Sequence, residues 1–292
     1  MAPVGYALVT GLLFSGSYVA GKYTTLDLHP LNATLFRYVI ATAVLLILLV
    51  RYRGQSLRIE RRHWLAVGFL ALSGIVGYHY FFFASLRHTA VTNTAIINAF
   101  CPVLTALLAS VFIKERLRPK NYLGVVLAVF GVVVLLSGAR LNRLLSLSFN
   151  QGDLFMVAAV VCFSAYAVGT RVLIRHYDGY VLTLYAATVG VLWLLIVTPF
   201  DTVESEFRAM SVSSIYAVVY MGAAASGLGY LTFNLSINAL GVTRTTASVY
   251  GTVPIFVAVL AMSFFGEMIS AGMAASMVLI LAGLALMLAD HD

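Results

Sequence analysis

Apolar residues arrive along this chain in blocks of about twenty, parted by short polar and charged stretches. About 20 apolar residues are what an α-helix needs to cross the hydrocarbon of a bilayer, whereas an outer-membrane barrel shows ten-residue segments of alternating polarity. Cutting at charge clusters and turn residues predicts ten spans, near 4–21, 31–50, 64–86, 90–113, 121–138, 151–173, 180–199, 213–238, 243–266 and 269–288. The connections run to no more than about a dozen residues, too short for a soluble domain between spans. The fold class expected is therefore an all-α integral membrane protein.

The blocks repeat. Gly77, Tyr78, Pro102, Glu115 and Gly131 recur 152 positions later as Gly229, Tyr230, Pro254, Glu267 and Gly283. Between proline and glutamate the match continues through Ala106, Leu108, Ala109 and Phe112 against Ala258, Leu260, Ala261 and Phe264. The chain reads as two copies, 1–140 with spans one to five and 151–292 with spans six to ten. Five is odd, so the second copy enters the membrane from the opposite side and the copies are inverted about an axis in the membrane plane. A central cavity between inverted repeats is where such chains place a substrate.

Composition agrees: 61% of residues are hydrophobic, 10% are charged and the mean hydropathy is +0.96, far from the values of a soluble domain. The start, Met1 to Gly5, has no basic leader and runs into the first block, so it reads as a retained span. The net charge of +7 sits in short loops and reflects orientation in the membrane, with no nucleic-acid partner implied. With the amino terminus in the cytoplasm, 12 loop or span-end cations lie inside, among them Arg51, Arg62, Lys114, Arg118 and Arg171, and 5 lie outside. Both termini are thus expected in the cytoplasm. Cys101 and Cys162 fall within apolar blocks and read as packing residues, with no metal site or disulfide implied. No phosphate-binding G-x-x-x-x-G-K-[ST] loop occurs, so no nucleotide cofactor is expected.

The run from Pro102 to Glu115 with Gly124 and Gly131, and its counterpart from Pro254 to Glu267 with Gly283, resembles the signature of EamA-type repeats in the drug/metabolite transporter superfamily. Span one, ending Phe14-Ser-Gly-Ser-Tyr-Val-Ala-Gly-Lys22, and span six, ending Phe163-Ser-Ala-Tyr-Ala-Val-Gly-Thr-Arg171, resemble the family too. The resemblance covers essentially the whole chain. It implies a bacterial inner-membrane exporter of amino acids or related metabolites. It also implies that spans five and ten stand aside from a cavity among the other eight. The aromatic run Tyr78, Tyr80, Phe81, Phe82 and Phe83 is similar to that of aromatic amino-acid exporters.

Every acidic residue falls in a loop or at a span end, which speaks against cation carriage on a mid-membrane carboxylate and weakens proton antiport. His79 is placed well inside a span, where an imidazole could titrate or bond a substrate, or simply bond a helix carbonyl. Tyr78 and Tyr230 hold matching places that would face each other across the cavity, unless they are ordinary packing aromatics. Phe82 shares a helix face with Tyr78 and His79, and Asn234 stands four residues beyond Tyr230. Asn98 and Tyr250 lie near the prolines as candidate lining. Pro102 and Pro254 are candidate hinges, since a mid-span proline bends a helix, though many are structural. Glu115 and Glu267 read as helix caps or partners of loop bases, and the glycines of spans three and eight as packing.

Arg37 lies about six residues into span two, a depth of about 9 Å that allows its side chain to snorkel. It reads first as a residue tying helices together, and second as a fork for a substrate carboxylate. The function expected is a secondary transporter or facilitator exporting aromatic and other neutral amino acids by alternating access, as a monomer in the lipid bilayer. Export of other metabolites or drugs, with proton coupling through His79, is the alternative. An intramembrane enzyme is remote, because no catalytic constellation stands at suitable depth.

Overall fold

The computed structural model describes residues 3–49, 57–114, 119–136 and 149–288, which are helical almost throughout. In chain order the helices are α1 (Pro3–Asp27), α2 (Pro30–Leu48), α3 (Arg61–His88), α4 (Val91–Phe112), α5 (Pro119–Leu136) and α6 (Gln151–Leu173). Then follow α7 (Gly179–Val197), α8 (Phe200–Ala209), α9 (Val212–Leu240), α10 (Val242–Phe265) and α11 (Ala271–Leu288). Helices α1 to α7 and α9 to α11 are the ten expected spans. Seven of them, α2, α3, α4, α6, α7, α9 and α10, are long and apolar enough to cross a membrane, and α5 and α11 hold shorter apolar stretches. In α1, Thr10, Ser15, Ser17 and Thr24 face the protein interior. Ser15 Oγ donates a hydrogen bond to the Gly11 carbonyl, which hides a hydroxyl in an apolar bundle.

Local chemistry sets the starts. Pro30 opens α2, where its missing N–H costs nothing. Asn150 accepts from the Gly152 N–H at the start of α6, and Asp178 from the Tyr180 N–H at the start of α7. The ends of two helices are held by basic residues at matching places of the copies. Lys22 donates to the carbonyls of Leu86 (2.6 Å) and Thr89 (3.3 Å) at the end of α3, and Arg171 to that of Ile237 (3.3 Å) near the end of α9. Glu267 accepts from the backbone of Val91 and Thr92, a helix cap as expected. Glu115 lies outside the described residues.

Three features depart from the sequence reading. The connection from α7 to α9 contains α8, a short helix with Phe200, Val203 and Phe207 on one face, in a stretch read as plain loop. Helix α3 widens to a π-helix over Ala71–Gly77 and α9 over Met221–Gly229, so both wide turns stop at the repeated Gly-Tyr pair. The repeated prolines also sit in unlike surroundings. Pro102 follows a break at Ala99 and Phe100 that divides α4, while Pro254 lies inside an unbroken α10.

The copies interlock crosswise. Helix α1 packs on α9 and α10, and α6 packs on α3 and α4; α2 lies against α7 and the wide turn of α9, and α7 against the wide turn of α3. Gly77 admits Cys162 of α6 and Gly229 admits Phe14 of α1, where an added Cβ would meet Cys162 Sγ at 3.0 Å or a Phe14 ring carbon at 2.9 Å. Helices α5 and α11 pack chiefly against each other, beside the other eight.

That pair depends on small residues. A Cβ on Gly283 would stand 2.5 Å from the Gly124 carbonyl oxygen and 2.7 Å from the Ala128 nitrogen, both backbone atoms that cannot move alone. Gly283→Val is therefore expected to part α5 from α11 at a cost of about 1–3 kcal/mol. A lower unfolding temperature in detergent should report it. Transport per folded molecule should stay near wild type, because the pair lies off the central site.

Candidate functional site

Between the copies lies a cluster of buried rings. Tyr18 of α1, Tyr38 of α2, Tyr78 and Phe82 of α3, Phe163 and Tyr166 of α6, Tyr230 and Phe233 of α9 and Tyr250 of α10 are each no more than 7% exposed. Ring centroids are 4.9 Å apart for Tyr78 and Phe163, 5.5 Å for Tyr166 and Tyr230, and 5.1 Å for Tyr18 and Phe82. These are the offset and edge-on separations at which aromatic rings attract. Phe163 joins the two copies, since its ring also meets Tyr230 at 6.0 Å and Tyr250 at 5.5 Å.

A small cavity remains at the centre of the cluster. Of the residues expected at the site, Tyr78, Phe82, Tyr230 and Tyr250 line it, joined by Phe14, Ser17, Tyr18 and Arg37. It encloses about 10 Å³, room for at most one water. The site is thus closed, and a solute the size of an amino acid enters only when the rings part.

Polar contacts arrange the walls. The Asn98 amide donates to the hydroxyls of Tyr18 (2.5 Å) and Tyr78 (3.1 Å). Asn234 stands one layer away, bonded to the Tyr166 hydroxyl (3.0 Å) and to Thr183 Oγ1 (2.8 Å), so in this closed arrangement it holds α9 to α6 and α7. His79 lies behind Tyr230, its ring 4.9 Å from that of Tyr38. Its Nδ1 is 3.0 Å from the Ile75 carbonyl, which can only accept, so Nδ1 carries the proton in the neutral ring. That leaves Nε2 facing the Tyr38 hydroxyl across a long 3.5 Å contact.

The wide turns serve this site directly. Opening a helix to the i to i+5 pattern loosens its carbonyls, and such turns gather at functional places. In α3 the carbonyl of Gly74 accepts from the Tyr230 hydroxyl (3.1 Å) and that of Ile75 from His79. In α9 Ser226 Oγ accepts from Arg37 Nε (2.5 Å), and Met221 Sδ lies 3.6 Å from an Arg37 terminal nitrogen. Each copy therefore reaches into the wide turn of the other. Arg37 is 2% exposed and does not snorkel, so its depth in span two misjudged its surroundings. Its bond to Ser226 nevertheless ties α2 to α9, the first role the sequence suggested for it.

Among the described residues no group of histidine, cysteine or carboxylate side chains could hold a metal ion. The model of the EamA-like transporter family matches the chain twice, over residues 1–137 and 150–289. The chain belongs to the EamA-like transporter family. This EamA-like protein is a membrane transporter with the two-repeat helical fold of that family. It is similar to the uncharacterized transporter YyaM of Bacillus subtilis strain 168, at 28% identity over 243 residues, 83% of this chain and 78% of the relative. It is also similar to the aromatic amino acid exporter YddG of Ancylobacter novellus, at 28% identity over 213 residues, 70% of this chain and 71% of the relative. A solved crystal structure superposes with a TM-score of 0.69 at 23% identity, covering 99% of this chain and 98% of its own, a likeness of fold.

Proposed function

We propose that this transporter exports amino acids, aromatic and other neutral ones, with related small metabolites, by alternating access across a bacterial inner membrane. The observation that carries this reading is the closed chamber walled by Tyr78 and Phe82 from one copy and Tyr230 and Tyr250 from the other. Flat rings with single hydroxyls suit a solute that is part apolar and part hydrogen-bonding. The similarity to a protein named as an aromatic amino acid exporter points the same way. Residues 1–140 and 151–292 act as the two inverted units, a monomer suffices, and both termini face the cytoplasm. Tyr78, His79, Phe82, Asn98, Tyr230, Asn234 and Tyr250 form the substrate-binding set, with Pro102, just after the α4 break, and Pro254 as hinges. Movement runs down the solute's own gradient, since no buried carboxylate stands at the site to carry a proton.

Counterflow in proteoliposomes tests this with labelled phenylalanine, tyrosine, tryptophan and leucine beside a panel of nucleosides. Accumulation of the amino acids against unlabelled internal solute is expected, unchanged by an imposed pH gradient. Nucleosides carried in their place would overturn the substrate class. Uptake following the pH gradient would instead assign coupling to His79.

A further inference from the structure

Arg37 is a fixed charge in a closed apolar site. A guanidinium stays protonated in a protein, so burial cannot neutralise it. Yet its partners, Ser226 and Met221, are both neutral, and it forms no ion pair with any described carboxylate. The described acids that make hydrogen bonds make them elsewhere: Asp27 with Ser211, Asp153 with Thr89, Asp178 with Tyr180, Glu204 with Arg208, Glu206 with Asn32 and Glu267 with Thr92. Buried charges are ordinarily paired, because leaving water without a counter-charge is costly. The second terminal nitrogen of Arg37 has no hydrogen-bond partner among the described residues, and the side chain lines the cavity.

A second, independent observation lies around the same space. Ser17 Oγ, Tyr250 Oη and Asn98 Oδ1 are fully buried, and among the described residues none has a partner within hydrogen-bonding geometry. Ser17 and Tyr250 line the cavity with Arg37, and the Asn98 amide grips Tyr18 and Tyr78 in its wall. Eight buried polar atoms among the described residues lack a partner; two of them, on Ser17 and Tyr250, line this one cavity beside the Arg37 guanidinium and a third, on Asn98, stands behind its wall, a grouping that suits a polar occupant. The set is bipolar, with a guanidinium fork for an anion, oxygen acceptors for an ammonium group and rings for an apolar side chain.

We infer that Arg37 takes the carboxylate of the transported solute, which restricts cargo to carboxylate-bearing compounds and makes an α-amino acid the best-matched occupant. This rests on the export reading above and adds the group that sets its selectivity. Arginine suits the task because its planar fork can give a carboxylate two parallel N–H bonds. Glutamate or aspartate would be repelled by nothing here, but their second carboxylate would find no partner in the described cavity wall.

Counterflow with the full-length chain tests this with three probes: phenylalanine, phenylalaninamide, which lacks the carboxylate, and phenylpropionate, which lacks the amine. Wild type is expected to carry phenylalanine roughly tenfold or more faster than phenylalaninamide, the discrimination a charge-assisted hydrogen bond supplies. In Arg37→Met that ratio should fall to about one, with Arg37→Lys between. Phenylpropionate should compete with phenylalanine in wild type and lose that competition in Arg37→Met. Thermal unfolding of the purified proteins separates a binding role from a structural one. Phenylalanine should raise the unfolding temperature of wild type and not that of Arg37→Met, whereas the unliganded variant should be no less stable than wild type, because a lone buried charge has been removed.

The inference is overturned if wild type carries phenylalaninamide as readily as phenylalanine, or if Arg37→Met keeps the tenfold preference. Should the methionine variant fail to fold, Arg37→Lys decides the matter: a phenylalanine-to-phenylalaninamide ratio below that of wild type supports the role of Arg37, and an unchanged ratio overturns it. If wild type moves none of the three probes, the export reading itself has failed. Transport of phenylalanine without selectivity for its carboxylate leaves that reading standing and removes only the role of Arg37.

Discussion

Tyr230→Ala is expected to abolish counterflow and to cost about 3–5 kcal/mol of stability, the range for emptying the place of a large buried ring. Tyr230 is 2% exposed and packs against Phe14 (5.5 Å), Tyr38 (6.2 Å), His79 (5.8 Å), Phe163 (6.0 Å) and Tyr166 (5.5 Å). Those neighbours come from four helices in both copies, so no single rotamer change can fill the gap. Tyr230→Phe separates ring from hydroxyl. It keeps every ring contact and leaves the Gly74 carbonyl without its 3.1 Å side-chain donor, at a cost of about 1–3 kcal/mol. The phenylalanine variant should fold and bind cargo, with an altered exchange rate, because the lost bond joins the second copy to the wide turn of the first. Thermal unfolding and initial counterflow rates on the same preparations check both. An alanine variant as stable and as active as wild type would show that the ring cluster does not bound the site.

Loss of the Glu267 carboxylate should be nearly as costly at the end of the bundle. Its two oxygens accept from the N–H of Val91 (2.9 Å), the N–H of Thr92 (2.9 Å) and Thr92 Oγ1 (2.8 Å), at the start of α4. First-turn N–H groups have no partner within their own helix, and a negative charge there also meets the positive end of the helix dipole. Charge-assisted bonds of this kind contribute about 1.5–3 kcal/mol, so Glu267→Ala is expected to lose about that much, with Glu267→Gln intermediate. Hydrogen exchange gives the local readout: amides of the first turn of α4 should exchange faster in the alanine variant, while those of α5 should not. Equal protection in both proteins would mean that α4 starts without help from the α10 to α11 turn.

Much of this architecture was legible because hydropathy and repetition are local properties. Span six, read as 151–173, is α6 from Gln151 to Leu173, and the odd number of spans per copy implied inversion before any packing was known. Tyr78, Tyr230 and Phe82 stood out in the sequence as matched or face-sharing aromatics, and Tyr250 by its place near the second repeated proline. The wide turns were not, since i to i+4 and i to i+5 bonding use the same glycine-rich apolar residues. Arg37 ties α2 to α9 as the sequence suggested, but its full burial was hidden because its partner Ser226 lies 189 residues away, and depth along one helix says nothing about what another helix brings. Phe200, Val203 and Phe207 form a helical stripe only about two turns long, too short to stand out among apolar blocks of about twenty residues. The prolines show the limit of repetition. Equivalent residues at Pro102 and Pro254 accompany a broken helix in one copy and an intact one in the other.

The wide turns act on geometry in a way no rigid helix could. Residues Ala71–Gly77 and Met221–Gly229 each hold more chain per turn than the α-helix around them. Should either segment tighten to α-helical pitch, everything beyond it would swing about the helix axis by roughly 100° for each residue of register, since an α-helix has 3.6 residues per turn. Tyr78, His79 and Phe82 stand just beyond one segment, and Tyr230 and Asn234 just beyond the other. A change of winding smaller than one turn would therefore rotate an entire wall of the chamber as a unit, while the lipid-facing ends of α3 and α9 kept their depth.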